Sequence, residues 1–140
     1  MHMTKHEMNV FLGAKRPARL GVVATVRKDG CPQVVPVWYG WSEGRVKIWT
    51  TDERAWVQNA QRNARVAFSV HGDRPYPAVI MRGTADVMTE HSPEVQAVIL
   101  DITRRYLAEE EVAAYIEAWR ELHTIVTITP DRIVSWPTAG

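Results

Sequence analysis

One strand–helix junction holds the side chains best suited to binding an anion. Thr50 and Thr51 end a predicted strand, and a helix is predicted to follow directly, with Arg54 in its first turn. Free backbone N–H groups and the helix dipole favour negative charge there, and hydroxyls with an arginine suit a phosphate. Against this, Asp52 and Glu53 place carboxylates at the same end, and an Asp52 N-cap would use the same N–H donors. From these residues alone, a structural cap is the stronger interpretation.

A strand interrupted by proline is the second feature with binding chemistry. Val35, Pro36, Val37 and Trp38 lie in the predicted strand Gln33 to Trp41. A proline cannot donate to a sheet ladder, so it marks an edge, a bulge or a place where another molecule takes the open positions. A flat tricyclic ring needs apolar walls and a few backbone hydrogen bonds, which this strand could supply. Without comparison to other proteins, a core strand with a bulge is favoured.

Other chemistries find little support in the spacing of the polar residues. The five histidines are scattered, without metal-ligand spacing to Cys31 or to carboxylates, so we predict no metal site. The sequence has no nucleophile elbow, P-loop or dinucleotide glycine fingerprint. Tyr39 and Tyr76 are candidate proton donors, but a structural role is favoured for each. No catalytic residue is nominated.

Length and composition bound the class of protein. The chain of 140 residues fits one domain over residues 1–140, and its 46% hydrophobic and 24% charged residues are typical of a globular protein. The formal net charge of +1 gives no basic field for nucleic acid. The single cysteine suits a reducing compartment, and we see neither a secretory signal nor an apolar run of about 18 residues. We therefore expect a soluble cytoplasmic protein that does not bind membranes.

Hydrophobic periodicity predicts the elements that position these residues. Alternating and β-branched segments predict about six antiparallel strands, at residues 20–27, 33–41, 45–50, 64–70, 79–88 and 124–136. The first three are predicted to form a meander. The segment 124–136 is either one strand or a broken pair of strands. Asp29-Gly30 predicts a hairpin with a type I′ turn. Apolar residues at helical spacing predict four short helices, at residues 4–12, 52–63, from Ser92 to Tyr106, and 111–122. This pattern indicates a barrel.

Four segments then occur in a specific order along the chain: LGVVATVRKDGCPQVVPVWYGW, RVKIWTT, QNAQRNARVAFSV and RGTADV. This order resembles the FMN-binding split β-barrels of the pyridoxamine 5′-phosphate oxidase-like superfamily. Within it, the chain is most similar to short actinobacterial-type proteins that use the deazaflavin coenzyme F420. The resemblance runs from about Phe11 to Trp136. It implies a mainly β fold with short α-helices, built as a six-stranded antiparallel split β-barrel.

The resemblance also implies a homodimer with two cofactors in grooves between the subunits. The strand Val35 to Trp38 would lie along the ring system, and Thr50, Thr51 and Arg54 would face the phosphate-bearing tail. Relatives usually carry a phosphate-binding lysine where this chain has Trp56. Tryptophan has one N–H donor and no charge, so the site would lose an interaction of about 1.5–3 kcal/mol.

Three functions remain open. The first is an oxidoreductase that transfers a hydride between reduced coenzyme F420 and a small unsaturated organic substrate. The second keeps the reaction class but uses FMN. The third is a protein that binds a flavin, a haem or another small molecule without turnover. A modest preference for F420 comes from its longer acidic tail, which could reach Lys15, Arg16 or Arg19.

Overall fold

The computed structural model describes residues 1–15 and 17–138. In that part of the chain, seven strands and four helices are formed. The strands are β1 (Gly21–Val26), β2 (Pro32–Val37), β3 (Gly40–Ser42), β4 (Arg45–Thr50), β5 (Arg65–His71), β6 (Ala78–Thr89) and β7 (Thr124–Trp136). The helices are α1 (Lys5–Gly13), α2 (Ala55–Arg62), α3 (Pro93–Tyr106) and α4 (Glu109–Ala118). The predicted mainly β fold with short helices is confirmed.

All seven strands pair antiparallel in one sheet, in the order β2-β1-β5-β6-β7-β4-β3. The prediction of six strands is wrong by one, because the predicted strand Gln33 to Trp41 is divided. Its first part is β2 and its last part is β3, and these two strands lie at opposite edges of the sheet. The predicted meander is therefore also wrong, since β4 pairs with β3 and β7. Pro36 lies on an edge strand, which is one of the three alternatives that a proline left open. The favoured interpretation, a core strand with a bulge, is wrong, because β2 lies at the edge and pairs with β1 in continuous register.

The two tight hairpin turns have different backbone conformations. The predicted hairpin at Asp29-Gly30 joins β1 and β2, but only Gly30 has a positive φ, of 87°. Its N–H donates to the Arg27 carbonyl at 2.9 Å. This is the longer loop in which a glycine takes the left-handed position after a type I turn. The predicted type I′ turn is therefore wrong at this place. Between β3 and β4, Glu43 and Gly44 both have positive φ, of 55° and 72°.

Helix α1 closes one end of the barrel. The Glu7 N–H donates to Thr4 Oγ1 at 3.1 Å, and the Thr4 N–H donates to a Glu7 carboxylate oxygen at 3.0 Å. This is the reciprocal capping box expected from the two residue types. Phe11 and Leu12, one turn further on, are buried in the main core with inward-facing residues of the strands.

Helix α2 adds Trp56, Val57 and Ala60 to the same core, whereas α3 packs beside β3, β4 and α4. Ser92 caps α3 by accepting from the Val95 N–H at 3.2 Å, as predicted. Helix α4 occupies Glu109–Ala118, so it begins and ends earlier than the predicted range 111–122, because Trp119 is its C-cap. In α2, the buried Asn59 donates to Thr25 Oγ1 and Gln33 Oε1. None of the described helices is long and apolar enough to cross a membrane.

A bulge lets the long strands β6 and β7 pair along their whole length. Arg82 pairs with Arg132 but Gly83 pairs with Pro130, so Asp131 is an extra residue in β7. The two backbones approach closely at this point. A Cβ atom added to Gly83 would overlap the Thr129 carbonyl oxygen and stand 2.8 Å from Pro130 Cα. The segment 124–136, which was predicted as either one strand or a broken pair, is therefore the single strand β7 with a bulge at Asp131.

We expect Gly83→Ala to lower the free energy of unfolding by about 3 kcal/mol, because the obstructing atoms belong to backbone that cannot rotate away. Gly13→Ala is the matched control, since a Cβ at Gly13 meets no atom within 4 Å. Its stability should stay level or rise by about 0.5–1 kcal/mol. Urea unfolding followed by circular dichroism measures both. Equal stability of the two variants would contradict the close approach.

Candidate functional site

A groove of about 380 Å³ opens beside the edge strand β2. It is bounded by β2, the end of β4, the start of α2, and residues of the α3–α4 region. Its lining is mostly apolar, which is typical of ligand sites of this size. The lining residues are Leu20, Val35, Pro36, Val37, Trp38, Ile48, Trp49, Thr50, Arg54, Trp56, Ile102, Tyr115, Trp119 and Leu122.

The structure brings seven of the eight predicted site residues together in this groove. Val35, Pro36, Val37 and Trp38 form one wall, and the other three are Thr50, Arg54 and Trp56. The eighth, Thr51, does not line the groove. Its Oγ1 accepts from the Glu53 N–H at 3.4 Å and its carbonyl accepts from the Arg54 N–H at 3.3 Å, so it shapes the turn before α2.

The start of α2 has no side-chain cap. Its N-cap residue is Arg54, whose side chain makes no capping hydrogen bond. The interpretation of Asp52 as the cap is therefore wrong, because the helix begins later than predicted and Asp52 lies two residues before the N-cap. Thr50 and the N-cap residue Arg54 line the groove beside this helix start. Free N–H groups of a first helical turn, the helix dipole and a guanidinium all favour negative charge.

Trp56 takes the position at which a phosphate-binding lysine was expected from the resemblance. The side chain is only 4% exposed and packs in the main core with Val57 and Ala60. It therefore contributes an apolar patch to the base of the groove. The charge at this end of the groove comes from Arg54, which is exposed.

Stacked aromatic side chains form the second wall. The Trp38 ring lies between Tyr106 and Tyr115, with centroid distances of 4.8 and 5.2 Å and interplanar angles of 7° and 28°. Trp49 meets Tyr115 edge-on at 6.2 Å. Trp119 continues the wall from the end of α4 and is half exposed. The sequence analysis missed the residues that α3 and α4 contribute, although apolar and aromatic residues at helical spacing in both helices were the available signal.

Buried hydrogen bonds hold this wall in place. The Tyr106 hydroxyl accepts from the Tyr39 N–H at 3.1 Å and donates to the Arg19 carbonyl at 2.7 Å. The Tyr39 hydroxyl donates to the Leu12 carbonyl at 2.7 Å. Burial raises the pKa of Tyr106 to about 12, and burial also raises the pKa of Tyr39. Both phenols therefore keep their protons at neutral pH.

The guanidinium of Arg105 is the centre of the same network. Arg105 is 5% exposed and donates to the carbonyls of Tyr39, of Leu12 at 2.9 Å and of Ala14 at 3.0 Å. It also lies over the Tyr39 ring, 4.5 Å from the centroid. Tyr39 is thus fully engaged in structure and does not line the groove. Tyr76 lies in an exposed loop outside it.

Two of the basic residues considered for an acidic cofactor tail, Arg19 and Lys15, do not line the groove. Arg19 donates to the Phe11 carbonyl at 3.0 Å and lies over the Phe11 ring. Lys15 lines a different cavity, described below. The third, Arg16, lies outside the described residues. Arg19 and Lys15 therefore give no support to the preference for coenzyme F420 on the length of its tail.

The fold and the groove together define an antiparallel split β-barrel with an apolar groove at its edge strand. Residues 6–137 match the family described as pyridoxamine 5′-phosphate oxidase. The chain belongs to this family of flavin-binding split barrels. A comparison with curated protein sequences gives no match.

Solved structures extend the comparison. A conserved hypothetical protein from Mycobacterium tuberculosis superposes with a TM-score of 0.79 at 22% identity, covering 96% of this chain and 84% of that chain. An F420 reductase superposes with a TM-score of 0.68 at 27% identity, covering 89% and 94%. A FAD-binding protein from Mesorhizobium loti has a TM-score of 0.69 at 18% identity, covering 96% and 95%.

We expect Tyr106→Phe to lower the free energy of unfolding by about 1–3 kcal/mol, because the Tyr39 N–H loses its acceptor in a partly buried position. Tyr115→Phe is the matched control, since it keeps the stack on Trp38 and no partner is found for its hydroxyl among the described residues. Its stability should change by less than about 0.5 kcal/mol. Thermal and urea unfolding of the three proteins measure the difference. Equal losses in both variants would refute this role of the Tyr106 hydroxyl.

Proposed function

We propose that the protein is an oxidoreductase that uses coenzyme F420, bound in the groove, to transfer a hydride to a small unsaturated organic substrate. The observation that carries the proposal is the combination of an apolar, aromatic groove with an uncapped helix start and Arg54 at one end. A flat ring system with a phosphate-bearing tail matches both parts. The volume of about 380 Å³ lies within the usual range for ligand sites.

Each part of the groove has a distinct task in this proposal. The edge of β2 that faces away from β1 has no strand partner, so its carbonyls can accept hydrogen bonds from ring N–H groups. Thr50 and Arg54 would bind the phosphate together with the first turn of α2. When bound, the reduced deazaflavin supplies the hydride. Trp38, Tyr115 and Trp119 would shield the ring from water and leave room for a substrate against an apolar surface.

The choice between F420 and FMN depends on similarity. The 27% identity with an F420 reductase over most of both chains favours the deazaflavin. FMN stays the second candidate, because the family binds flavins of this type. Trp56 lowers the affinity expected for the phosphate of either cofactor, because a lysine at this position would add its charge to that of Arg54. That weakness also supports the third function, a protein that binds such a ligand without turnover.

We further propose that the protein is a homodimer with the cofactor near the interface. The outward face of the sheet has a row of paired residues, Pro36, Val22, Ser69, Ile80 and Val134. Val34 adds to this apolar face and is 66% exposed, although it lies on a strand of the barrel. An apolar surface of this kind marks an interface. Because Pro36 belongs to the face and to the groove, a second copy seated there would border the ligand.

The oligomeric state tests this arrangement. We expect the wild type to have twice the monomer mass by light scattering, and Val34→Glu to shift it to monomer, because a carboxylate would lose its hydration in the interface. Val10→Glu is the matched control, since Val10 is 60% exposed on α1 and lies outside that face. A monomeric wild type, or a dimer that tolerates Val34→Glu, would contradict the proposed interface.

Binding of the cofactor is measured by fluorescence titration with F420 and, separately, with FMN. We expect micromolar or tighter binding of F420, and binding about tenfold weaker in Arg54→Gln, which removes a charge-assisted hydrogen bond. Arg27→Gln in the β1–β2 hairpin should bind like the wild type. In Trp56→Lys we expect tighter binding of both ligands, provided that the variant unfolds at a temperature near that of the wild type.

The outcomes separate the three functions. Tight binding of F420 together with oxidation of its reduced form by an unsaturated acceptor would support the reductase. If FMN binds more tightly than F420, the cofactor is FMN and the proposed reaction class is unchanged. Binding without turnover would favour the binding protein. If neither ligand binds to the wild type and both bind to Trp56→Lys, the groove has lost its cofactor and the proposal is wrong.

A further inference from the structure

A second cavity, of about 230 Å³, lies on the other side of Ile102 from the groove. Ile102 lines both spaces, so its side chain separates them. The cavity is bounded by the end of α1, by β3 and β4, and by α3. Its lining residues are Gly13, Lys15, Gly40, Trp41, Ser42, Lys47, Val98, Asp101, Ile102 and Arg105. None of the functions proposed above uses this cavity.

The charged side chains of this cavity are not paired with one another. Lys15, Lys47 and Asp101 all line it, yet among residues 1–15 and 17–138 none of the three has an ion-pair partner within 4.0 Å. Lys47 is half buried between the sheet and α3, and such a position removes part of the water that would hydrate an ammonium group. An anion in the cavity would restore that lost solvation.

Arg105 adds a positive charge to the same wall. Its three hydrogen bonds go to neutral carbonyls, and no carboxylate pairs with it among the described residues. Its Nε has no hydrogen-bond partner in that part of the chain. The guanidinium charge is therefore not neutralised by a carboxylate among the described residues and contributes a positive potential to the cavity.

The rest of the lining is mostly apolar. The Trp41 ring is held by a hydrogen bond from its Nε1 to Asn9 Oδ1 at 2.9 Å. Val98 and Ile102 face the same space from α3. A ligand here would need an apolar body against these side chains and a negative group near the lysines. Three cationic side chains line the cavity against the one carboxylate of Asp101, so the balance of charge favours an anion.

We propose that this cavity is a second ligand site that binds a small carboxylate with an apolar body. Lys47 and Lys15 bind the carboxylate, while Trp41, Val98 and Ile102 contact the body of the ligand. The site is separate from the groove, so it binds its ligand without any cofactor present.

Benzoate is the probe, with benzyl alcohol as its neutral counterpart of similar size. Titrations of the full chain, without cofactor, are followed by ¹H–¹⁵N NMR, where the amides of Gly13, Gly40 and Ser42 report on the cavity. We expect millimolar or tighter binding of benzoate that shifts these amides, and no comparable shift with benzyl alcohol. Arg54→Gln, at the far end of the groove, should leave the benzoate affinity unchanged.

Charge variants test the assigned residues. Lys47→Gln and Lys15→Gln should each weaken benzoate binding by about tenfold, because each removes a charge-assisted hydrogen bond. Lys28→Gln, in the β1–β2 hairpin, is the matched control and should bind normally. Asp101→Asn should strengthen the binding of benzoate, because it removes a carboxylate that repels the ligand.

Three results would overturn the proposal. These are benzyl alcohol binding as well as benzoate, benzoate shifts confined to groove residues such as Trp38, and unchanged affinity in both lysine variants. Lys15 is exposed, so its replacement does not disturb packing. The Lys15→Gln variant therefore tests the proposal even if Lys47→Gln folds poorly. Loss of F420 binding would leave this proposal intact, because the probe and the cofactor occupy different spaces.

Discussion

The interaction on which this barrel depends is made by a buried guanidinium that, among the described residues, binds carbonyls and no carboxylate. Arg105 donates to backbone carbonyls from two places far apart in sequence, the end of α1 and Tyr39 in the link between β2 and β3. Burying a charge is costly unless hydrogen bonds and nearby dipoles compensate for the lost water. Here the compensation comes partly from the last carbonyls of α1, where the helix dipole favours a cation. One side chain thereby joins α3, α1 and the strand link.

The same network determines the shape of the candidate site. Tyr106, next to Arg105, accepts from the Tyr39 N–H and also stacks on Trp38. The chain leaves β2 at Trp38 and turns at Tyr39 toward β3 on the opposite edge of the sheet. The aromatic wall of the groove and the change of direction that splits the barrel are therefore held by the same contacts.

Local signals in the sequence were sufficient for much of the fold. The capping residues Thr4 and Ser92 were predictable because each depends on neighbouring residues alone. The edge position of Pro36 was only one of several alternatives, because a proline is compatible with an edge or with a bulge. The division of β2 from β3 was not predictable, because the backbone between them at Tyr39 is bound by Tyr106, 67 residues away.

Adjacent residues of the same type show why the rest could not be predicted. Arg104 is exposed and pairs with Glu109, whereas Arg105 is buried. Which of the two faces inward depends on the rotation of α3 relative to the sheet. Most of the groove strand and Arg54 were predictable, since the resemblance placed them. The turn role of Thr51 and the wall from α4 depend on packing that no local pattern encodes.

The two prolines of β2 have a consequence for how the protein behaves at high concentration. Pro32 and Pro36 both lie on this edge strand and pair opposite Val26 and Val22. Prolines are tolerated in a strand where the N–H would point away from the sheet, so the open edge lacks a donor at each of these positions. A strand from another molecule needs regularly spaced donors to extend a sheet. The barrel is thus protected against open-ended polymerisation at this edge, even though its backbone carbonyls stay accessible to a small ligand.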